Sequence, residues 1–449
     1  MDPKRQNALT IVERLRAAGY QAYWAGGCVR DLVMGREPKD YDVATDAVPD
    51  VVAGLFPRSL MVGAQFGVVI VTGDDGPTEV ATFRSDGLYL DGRHPSEVRF
   101  SKTPEEDVRR RDFTINGLLY DPVKHEVLDF VGGQDDIRAR RLRTIGEPAA
   151  RFREDRLRML RAVRFAARFD FVIDAATADA IRRLAPAIAE VSAERIRDEI
   201  LKILTEGAAR RGFELLDETR LLNEVLPEVK KLQGVAQPPE FHPEGDVWTH
   251  TLMMLEALGK GEQPVTPTLA LGVLLHDIGK PATFRVRERI RFDGHVEVGV
   301  RMAEYICRRL KLSTRETERV AELVGQHMRF KDFGQMKRST QLRFLALDGF
   351  AEHLELHRLD CLASHGNLDV YEAARRMMLE TPAEVVQPAP LVNGHDLIAL
   401  GYQPGPRFKE ILDAVRDAQL EGQITTREQG LRLAQEKWEI TESGHRAIG

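Results

Sequence analysis

Two aspartates with one residue between them suggest the clearest chemistry in this sequence. Asp40 and Asp42 flank Tyr41, so in an extended segment both carboxylates point to the same face of a sheet. Two like charges this close repel each other unless a cation lies between them, and hard oxygen ligands with open positions favour Mg²⁺. Surface turns also produce such pairs frequently, so the pair alone is consistent with a metal site or with a turn.

The residues before this pair suit a bound phosphate. Gly26 and Gly27 let the backbone approach phosphate oxygens, and a helix beginning within VRDLVMG would direct its first N–H groups at the same anion. Arg30 can add a bidentate contact, and we expect Asp31 to hold Arg30 or the turn. The spacing matches neither a P-loop nor a dinucleotide-binding loop. Together these residues predict a metal-bound nucleoside triphosphate at a sheet edge.

The elements that must position these residues follow from the hydrophobic pattern. Strand and helix patterns alternate up to about residue 135, with VGAQFGVVIVTG and TEVATFR as the clearest strands, and nearly every later segment has a helical pattern. Segments rich in Pro and Gly at 233–246 and 381–394 predict boundaries. We therefore predict an α+β multidomain protein with a mixed-sheet head, a helical neck and body, a further helical domain and a helical tail, at residues 1–136, 137–235, 236–380 and 381–449.

Composition narrows the class of protein. The chain has 449 residues, of which 43% are hydrophobic, enough to bury more than one core. Its three cysteines form no C-x-x-C pair, which argues against a disulfide framework and for a reducing compartment. The first residues have an amphipathic helical pattern rather than that of a signal peptide, and no apolar run is long enough to span a membrane. We therefore expect a cytoplasmic protein without a membrane role.

A basic block interrupts a chain whose net charge is −6. Between Arg138 and Arg168 there are eleven arginines and only three acidic residues. Four of the arginines recur at spacings of three or four, which predicts one stripe of a helix: Arg158, Arg161, Arg164 and Arg168. A cationic stripe suits a phosphate backbone, although a solvated helix face has the same pattern.

Five motifs in order resemble those of the class II tRNA nucleotidyltransferases, which share a polymerase-β-like head with bacterial poly(A) polymerases. The motifs are GGCVRD with KDYDVATDA, DVRRRDFTING at 107–117, LDFVGGQDDI at 128–137, RFREDRLRMLRAVRFAARF at 152–170 and AERIRDEILKIL at 193–204. The resemblance covers roughly residues 15–210. It implies template-independent addition of CCA to the 3′ end of tRNA, with CTP, ATP and Mg²⁺.

The resemblance also implies roles for individual residues. Asp40 and Asp42 would bind the metals of nucleotidyl transfer, which activate the attacking 3′-hydroxyl and hold the triphosphate. Glu79 is a candidate third carboxylate, although a solvent-facing strand glutamate fits the pattern equally well. The second motif would contact sugar and phosphate through Arg110, Arg111, Asp112 and Asn116.

The fourth motif is expected to select the base. Asp155 and Arg158 are three residues apart, so on a helix they would lie one turn apart, with an acceptor beside donors. Cytosine and adenine present a complementary edge, whereas uracil and guanine would oppose like groups. An ordinary helix ion pair has the same spacing, and the resemblance favours the base-reading role. The predicted nucleotide contacts here are Glu154, Asp155, Arg158, Arg161 and Arg164.

Two features bear on which member of the family this is. Poly(A) polymerases typically carry a G-R-R-F-R-L-x-H run after the aspartate pair, whereas this chain has VGAQFGVVIV at 62–71, similar to the tRNA type. RSDGLYLDGRHPSEVRF at 84–100 resembles the flexible loop needed to change from C to A addition. Complete CCA addition is therefore favoured over A-only or CC-only addition, and a plain surface loop is the alternative.

A second set of motifs resembles the HD phosphohydrolase domain. The motifs are HPEGDVWTHT at 242–251, HDIGKP, GH at 294–295 and QHM at 326–328. The expected metal ligands are His250, His276, Asp277 and Asp360, with His295 and His327 in a second metal site or against substrate phosphate. The resemblance implies hydrolysis of a phosphomonoester or a 2′,3′-cyclic phosphate with Mn²⁺, Co²⁺ or Ni²⁺.

Alternatives from other classes are less consistent with these residues. A phosphohydrolase with a degenerate transferase head would not keep all the polar residues of the head motifs. A pure RNA-binding protein would not require the aspartate pair. The tail from 391 resembles the extension that often follows this HD domain, and it suits either tRNA contact or packing. The sequence leaves the oligomeric state open.

Overall fold

The computed structural model describes residues 2–62, 67–73, 76–86, 98–240, 242–261 and 264–438. The chain divides into two compact units, Met1–Gly234 with Glu304–Thr317, and Val235–Ala303 with Glu318–Gly449. The predicted mobile loop at 84–100 falls mostly on 87–97, which lies outside the described residues.

The first unit begins with a mixed seven-stranded sheet. Its strand order is β3-β4-β5-β2-β1-β8-β9, and every neighbouring pair is antiparallel except β2 and β5. A separate hairpin pairs β6 with β7. The strands are β1 Ala22–Ala25, β2 Asp42–Thr45, β3 Ser59–Leu60, β4 Val68–Gly73, β5 Gly76–Thr82, β6 Arg84–Asp86, β7 Val98–Phe100, β8 Leu118–Asp121 and β9 Glu126–Asp129.

The two faces of this sheet differ in character. On one face, Trp24, Val43 and Val80 pack against the apolar stripe of α1, formed by Ala8, Ile11, Val12 and Leu15. Because side chains alternate along a strand, Asp42 and Glu79 lie on the other face. The register pairs Val43 with Val80 in parallel, which makes Asp42 and Glu79 neighbours on adjacent strands.

Helices make up nearly all of the rest of the first unit, as predicted. They are α1 Pro3–Ala17, α2 Gly27–Val33, α3 Pro49–Leu55, α4 Pro104–Arg109, α5 Gly133–Arg138, α6 Pro148–Glu154, α7 Arg158–Phe169, α8 Ala175–Leu184, α9 Ala193–Thr205, α10 Ala209–Glu218, α11 Leu221–Val225 and α12 Pro227–Lys230. Two short strands, β10 Arg141–Leu142 and β11 Val172–Ile173, pair in parallel. The α+β head followed by helices confirms the predicted fold class.

The second unit is helical apart from one hairpin, β12 Arg285–Val286 with β13 Ile290–Arg291. Its most central helix, α14, is buried along nearly its whole length. The helices are α13 Val247–Ala257, α14 Pro267–Leu275, α15 Lys280–Thr283, α16 His295–Arg309, α17 Thr314–Gln326, α18 Arg338–Leu345, α19 Phe350–Ala363, α20 Asp369–Glu380, α21 Ala383–Val386, α22 Gly394–Ala399, α23 Pro406–Leu420 and α24 Arg427–Lys437. Helices α16 and α17 cross the boundary between the units. Within the described ranges, none of the helices has the length and apolar character of a membrane span.

Candidate functional site

The glycine pair lies where β1 turns into α2. Gly26 has φ +72°, a conformation that side chains rarely adopt, and a Cβ there would lie 2.9 Å from the Arg111 guanidinium. Arg30 is buried, and its Nη1 donates to Asn116 Oδ1 at 2.7 Å. Its Nε and Nη2 donate to Asp31 Oδ1, which is the holding role expected for Asp31. The turn thus brings backbone and a held guanidinium to one place.

One buried carboxylate orients two of the three arginines of the second motif. Asp107 is only 1% exposed, and it accepts from Arg110 Nε at 2.9 Å and from Arg111 Nη2 at 2.9 Å. Burial alone would raise the pKa of Asp107, but the two guanidinium groups hold it below its usual value. Asp107 therefore stays ionised and keeps both cations in fixed positions.

A further chain of contacts joins the second motif to α7. Asp112 Oδ2 accepts from Arg161 Nη2 at 2.7 Å, and Asp112 Oδ1 accepts from Asn116 Nδ2 at 3.1 Å. Burial alone would raise the pKa of Asp112, but Arg161 and Asn116 bring it below its usual value. Since Asn116 also accepts from Arg30, the polar residues of three motifs form one continuous network.

The three carboxylates predicted to hold metal occupy different positions. Asp42 begins β2 next to Glu79 on β5, whereas Asp40 precedes the strand, is exposed and pairs with Lys4 Nζ at 2.7 Å. Desolvation first, and then the negative charges of Glu79 and Asp40, raise the pKa of Asp42 to about 6, with Arg111 acting in the opposite direction. Asp42 remains partly exposed, so water screens part of this repulsion. A group of acids that repel each other in this way fits a bound divalent cation.

The fourth motif does not form one continuous helix, so the predicted geometry of Asp155 and Arg158 is wrong. Helix α6 ends at Glu154 and α7 begins at Arg158, with Asp155 in an extended conformation between them. The physical reason is local, because Asp155 Oδ1 accepts from the backbone N–H of Leu157 and so competes with helical hydrogen bonding. Asp155 and Arg158 lie on either side of a helix break.

Different partners hold these two side chains. Asp155 Oδ2 accepts from Arg195 Nη2 at 2.8 Å, and Arg195 comes from α9. Arg158 Nη1 donates to Glu154 Oε2 at 2.6 Å and to the carbonyl oxygen of Arg151 at 3.2 Å. Glu154 thus positions Arg158, and Arg195 positions Asp155.

The arginine stripe of α7 does not form a solvent-facing cationic surface. Arg158 and Arg164 are each less than a tenth exposed. Arg164 Nε donates to the buried Glu199 at 2.7 Å, and Arg168 pairs with Glu206 at 3.3 Å. Because each arginine of the stripe forms an ion pair with a carboxylate of the protein, the stripe stabilises the packing of α7 against its neighbours.

One cavity of about 410 Å³ brings most of these groups together. Two of the predicted nucleotide contacts, Glu154 and Arg164, are not part of its lining, and neither is Asp40. A smaller adjoining depression of about 210 Å³ lies between Asp42 and Glu79 and shares Arg110 and Arg111 with the cavity. The lining of the larger cavity includes Gly26, Gly27, Arg30, Asp42, Arg110, Arg111, Asp112, Asn116, Asp155, Arg158, Arg161 and Arg195.

In the second unit, His250 lies between two carboxylates. Its Nδ1 is 2.7 Å from Glu244 Oε1, and its Nε2 is 3.2 Å from Asp360 Oδ1. Glu244 Oε1 also lies 2.8 Å from His242 Nδ1. Burial alone would lower the pKa of His250, but Asp360 and Glu244 raise it to about 9. This negative surrounding attracts a cation.

Asp277 lies among three further histidines. Asp277 Oδ2 is 3.0 Å from His276 Nε2 and 2.7 Å from Lys280 Nζ. Its other oxygen is 3.8 Å from both His295 Nε2 and His327 Nε2. Asp277 thus lies between the side chains predicted for one metal site and those predicted for a second.

The donor set of this cluster fits divalent metal. Backbone carbonyls accept from the Nδ1 atoms of His276, His295 and His327, at distances of 2.9, 2.9 and 2.7 Å, so Nδ1 carries the proton and Nε2 keeps its lone pair. The Nε2 atoms of these three and of His250 are buried and make no hydrogen bond within the described residues. Within the described residues, three groups have ligand atoms within 4.8 Å of one another: His242, Glu244 and His250; His250, His276 and Asp360; and Asp277, His295 and His327.

Four residues with clear roles were not singled out from the sequence, although each lies inside or beside a motif that was. Asp107 and Arg195 hold side chains that line the cavity of the first unit. Glu244 and Lys280 hold His250 and Asp277 in the second. Each is a partner of a predicted site residue, and such pairing depends on the fold and cannot be read from motif spacing.

Three family models match successive parts of the chain. The Poly A polymerase head domain matches residues 22–143. The probable RNA and SrmB-binding site of polymerase A matches residues 170–232. The HD domain matches residues 247–356. The three matches therefore follow the order predicted from the motifs.

Individual relatives agree as well. The chain is 44% identical over 254 residues to the CCA-adding enzyme of Bacillus pumilus, a match that covers 56% of this chain and 63% of that enzyme. The crystal structure of the Bacillus stearothermophilus CCA-adding enzyme in complex with CTP has a TM-score of 0.72 and 29% identity, and the match covers 97% of this chain and 98% of that one. The Thermotoga maritima CCA-adding enzyme complexed with tRNA, at 19% identity and a TM-score of 0.59, shares the fold and covers 97% of this chain and 96% of its own.

The sequence matches to the curated relatives cover between 53% and 64% of their lengths. They and the family matches agree with the motif order and with the fold of the head. On these grounds the chain carries a Poly A polymerase head domain and an HD domain, and it is similar to CCA-adding enzymes.

Proposed function

We propose that this protein adds CCA to the 3′ end of tRNA, using CTP and ATP and no nucleic-acid template. The observation that carries the proposal is the single cavity of about 410 Å³ lined by Gly26, Asp42, Asp155 and Arg158. Groups suited to a triphosphate, to a metal and to a base edge line the same cavity. The similarity to a CCA-adding enzyme in complex with CTP supports the same conclusion.

The phosphate end of this cavity is cationic and fixed. Arg110 and Arg111 are held by Asp107, and Arg30 is held by Asp31 and Asn116. Guanidinium groups held in this way suit bidentate contact with phosphate oxygens. The absence of a Cβ at Gly26 leaves room for the Arg111 guanidinium beside the backbone. The triphosphate of an incoming nucleotide would bind here.

Base selection would depend on Asp155 and Arg158. A carboxylate accepts from the exocyclic amine of cytosine or adenine, and a guanidinium donates to the adjacent ring nitrogen. Uracil and guanine would place acceptor against acceptor and donor against donor, at a cost of about 1–3 kcal/mol for each unpaired buried group. A protein edge of this kind accepts C and A and rejects U and G.

Asp42, with Asp40 and Glu79, would hold Mg²⁺. When bound there, Mg²⁺ would supply Lewis-acid chemistry, which lowers the pKa of an attacking 3′-hydroxyl and offsets the charge of a departing pyrophosphate. The chain's own contribution is the carboxylates, whose mutual repulsion a cation relieves. Glu79→Gln should lower turnover because it removes one negative ligand, and unchanged turnover would exclude Glu79 from the metal site.

The test supplies purified protein with tRNA ending at the discriminator base, at C, or at CC, and with each labelled nucleoside triphosphate separately. Complete CCA addition predicts incorporation of CTP on the first two and of ATP on the third. A CC-adding enzyme would fail on the tRNA that ends at CC, an A-adding enzyme would fail on the other two tRNAs, and a poly(A) polymerase would extend with ATP regardless of the end. The proposed substrates, tRNA with CTP and ATP, also suggest a cytoplasmic location.

The histidine cluster favours a second activity, metal-dependent phosphohydrolysis in the HD domain. Two groups of ligands joined by Asp277, with lone pairs directed by carbonyl hydrogen bonds, suit Mn²⁺, Co²⁺ or Ni²⁺. The test measures phosphate release from phosphomonoesters, and ring opening of 2′,3′-cyclic phosphates to phosphomonoesters, by full-length Asp42→Ala protein with each metal. His276→Ala should abolish the release, and release that survives it would place the activity elsewhere.

A further inference from the structure

The cavity of the second unit contains more than the histidine cluster. Its volume is about 640 Å³, within the range of pockets that enclose a whole small-molecule ligand. Part of its lining is the cluster, through His276, Asp277 and Asp360. Another part is the hairpin of β12 and β13 together with the 3₁₀ helix His327–Gln335. The cavity can therefore hold a ligand that extends well beyond one phosphoryl group.

Three cations on this other part have no partner among the residues that the structure describes. Arg289, Arg291 and Lys331 line the cavity and are exposed, and among the described residues no side-chain hydrogen bond or ion pair involves them. Lys280, by contrast, is neutralised by Asp277 at 2.7 Å. Two carboxylates outside the metal cluster also line the cavity, Glu240 and Asp293, so the cations are in excess.

An aromatic ring lies between the two regions. Phe292 is half-buried and lines the cavity next to Arg291 in the sequence. Its ring centroid is 6.5 Å from that of His295, and the Lys280 ammonium lies 5.2 Å from it. A flat apolar surface beside unpaired guanidinium groups suits a sugar or base that is attached to a phosphate.

We propose that Arg289, Arg291 and Lys331 form a second phosphate subsite, so that the HD domain takes an RNA 3′ end carrying a terminal phosphate. The terminal phosphomonoester lies at the histidine cluster and the preceding phosphate lies at the subsite. Water adds to the phosphorus, the bond to the 3′ oxygen breaks, and the products are a 3′-hydroxyl and inorganic phosphate. This inference rests on the proposed phosphohydrolase activity.

The experiment compares three substrates with the full-length protein and Mn²⁺. They are a nucleoside 3′-monophosphate, a nucleoside 3′,5′-bisphosphate and a short oligoribonucleotide with a 3′-phosphate. Arg289→Gln/Arg291→Gln should raise KM about tenfold for the last two and leave the first unchanged, because charge-assisted contacts to one phosphate are lost. Lys331→Gln, on a different element, should act in the same direction.

The hairpin offers a matched control. Arg285→Gln/Arg287→Gln removes two arginines of the same hairpin that are not part of the cavity lining, and it should leave all three KM values unchanged. Equal shifts for all substrates, no shift, or the same shift in the control would overturn the subsite.

Absence of hydrolysis with every substrate would refute the phosphohydrolase and not the subsite. Calorimetric binding of the bisphosphate then decides, because the nucleotide-binding head is identical in both double variants. Weaker binding by Arg289→Gln/Arg291→Gln alone supports the subsite, and equal binding by both variants refutes it.

Discussion

Asp107 is the residue whose replacement tests the nucleotide cavity most sharply without touching its lining. Asp107→Asn preserves shape and removes the charge that holds Arg110 and Arg111. Breaking a buried ion pair costs about 3–5 kcal/mol, and an exposed pair costs at most about 1 kcal/mol. The side chains of Arg110 and Arg111 are each about one fifth exposed, and asparagine still offers them one acceptor oxygen. We therefore expect a loss of about 2–3 kcal/mol in the stability of the head.

The same change should weaken nucleotide binding. Two guanidinium groups that are no longer held lose part of their contact with phosphate, which we place at about 1–2 kcal/mol, or a 5- to 30-fold rise in KM for both CTP and ATP. The discrimination between CTP and UTP should stay the same, because Asp155 and Arg158 have other partners. Steady-state incorporation on tRNA ending at C measures both quantities.

The stability effect also has a defined pH dependence. The pKa of Asp107 is lowered in the folded protein, so its contribution is fully present above the unfolded value of about 3.9 and is lost as pH falls through the folded value. The difference in calorimetric unfolding between wild type and Asp107→Asn should therefore be constant from pH 8 to about pH 5 and shrink only in stronger acid.

A matched control lies on the same helix. Glu105→Gln removes an exposed carboxylate that pairs with Arg109 at 2.7 Å, and it should change neither stability nor KM appreciably. A folded Asp107→Asn protein with wild-type KM, or an equal effect of Glu105→Gln, would refute the assigned role of Asp107.

Two further predictions concern residues that hold others in place. Arg195→Gln removes the partner of Asp155 and should reduce discrimination against UTP and GTP about tenfold in misincorporation assays. Arg197→Gln, on the same helix, should leave the discrimination unchanged. Equal fidelity in both variants would contradict the role of Arg195. Glu244→Ala removes the carboxylate that orients His250, a predicted metal ligand, and should weaken Mn²⁺ retention on dialysis about 10- to 100-fold. Glu256→Ala, at an exposed position, is the control. Unchanged metal content would contradict the role of Glu244.

Local patterns were enough to predict the fold class of the chain. Alternating strand and helix patterns up to about residue 135, and helical patterns after it, correspond to the sheet of the head and the helices that follow. This succeeds because hydrophobic periodicity is set by the face that each element buries, which is a local property. The role of the glycine pair was predictable for a similar reason, since the lack of a Cβ at Gly26 is a property of one residue.

The arrangement around Asp155 was not predictable from spacing. An i, i+3 pair was expected on one helix, but the Asp155 side chain caps the N–H of Leu157 and interrupts the helix. Its ion-pair partner, Arg195, comes from forty residues further along the chain. The outcome depends on competition between local hydrogen bonding and long-range pairing, and periodicity reports neither.

The arginine stripe of α7 shows the same limit. The spacing correctly placed four arginines on one helix, but a solvated face and a face buried against carboxylates have the same pattern. Glu199 and Glu206, which decide between them, lie on or just after α9. Charge patterning therefore predicted which residues share a face and left open what that face contacts.

The most direct test of the central claim is nucleotide incorporation on tRNA that lacks its last three residues. The account predicts that the protein adds C, C and then A from CTP and ATP, adds nothing from UTP or GTP, and loses all incorporation when Asp42 is replaced by alanine. Incorporation of UTP at a rate comparable to CTP, or incorporation that survives Asp42→Ala, would contradict it.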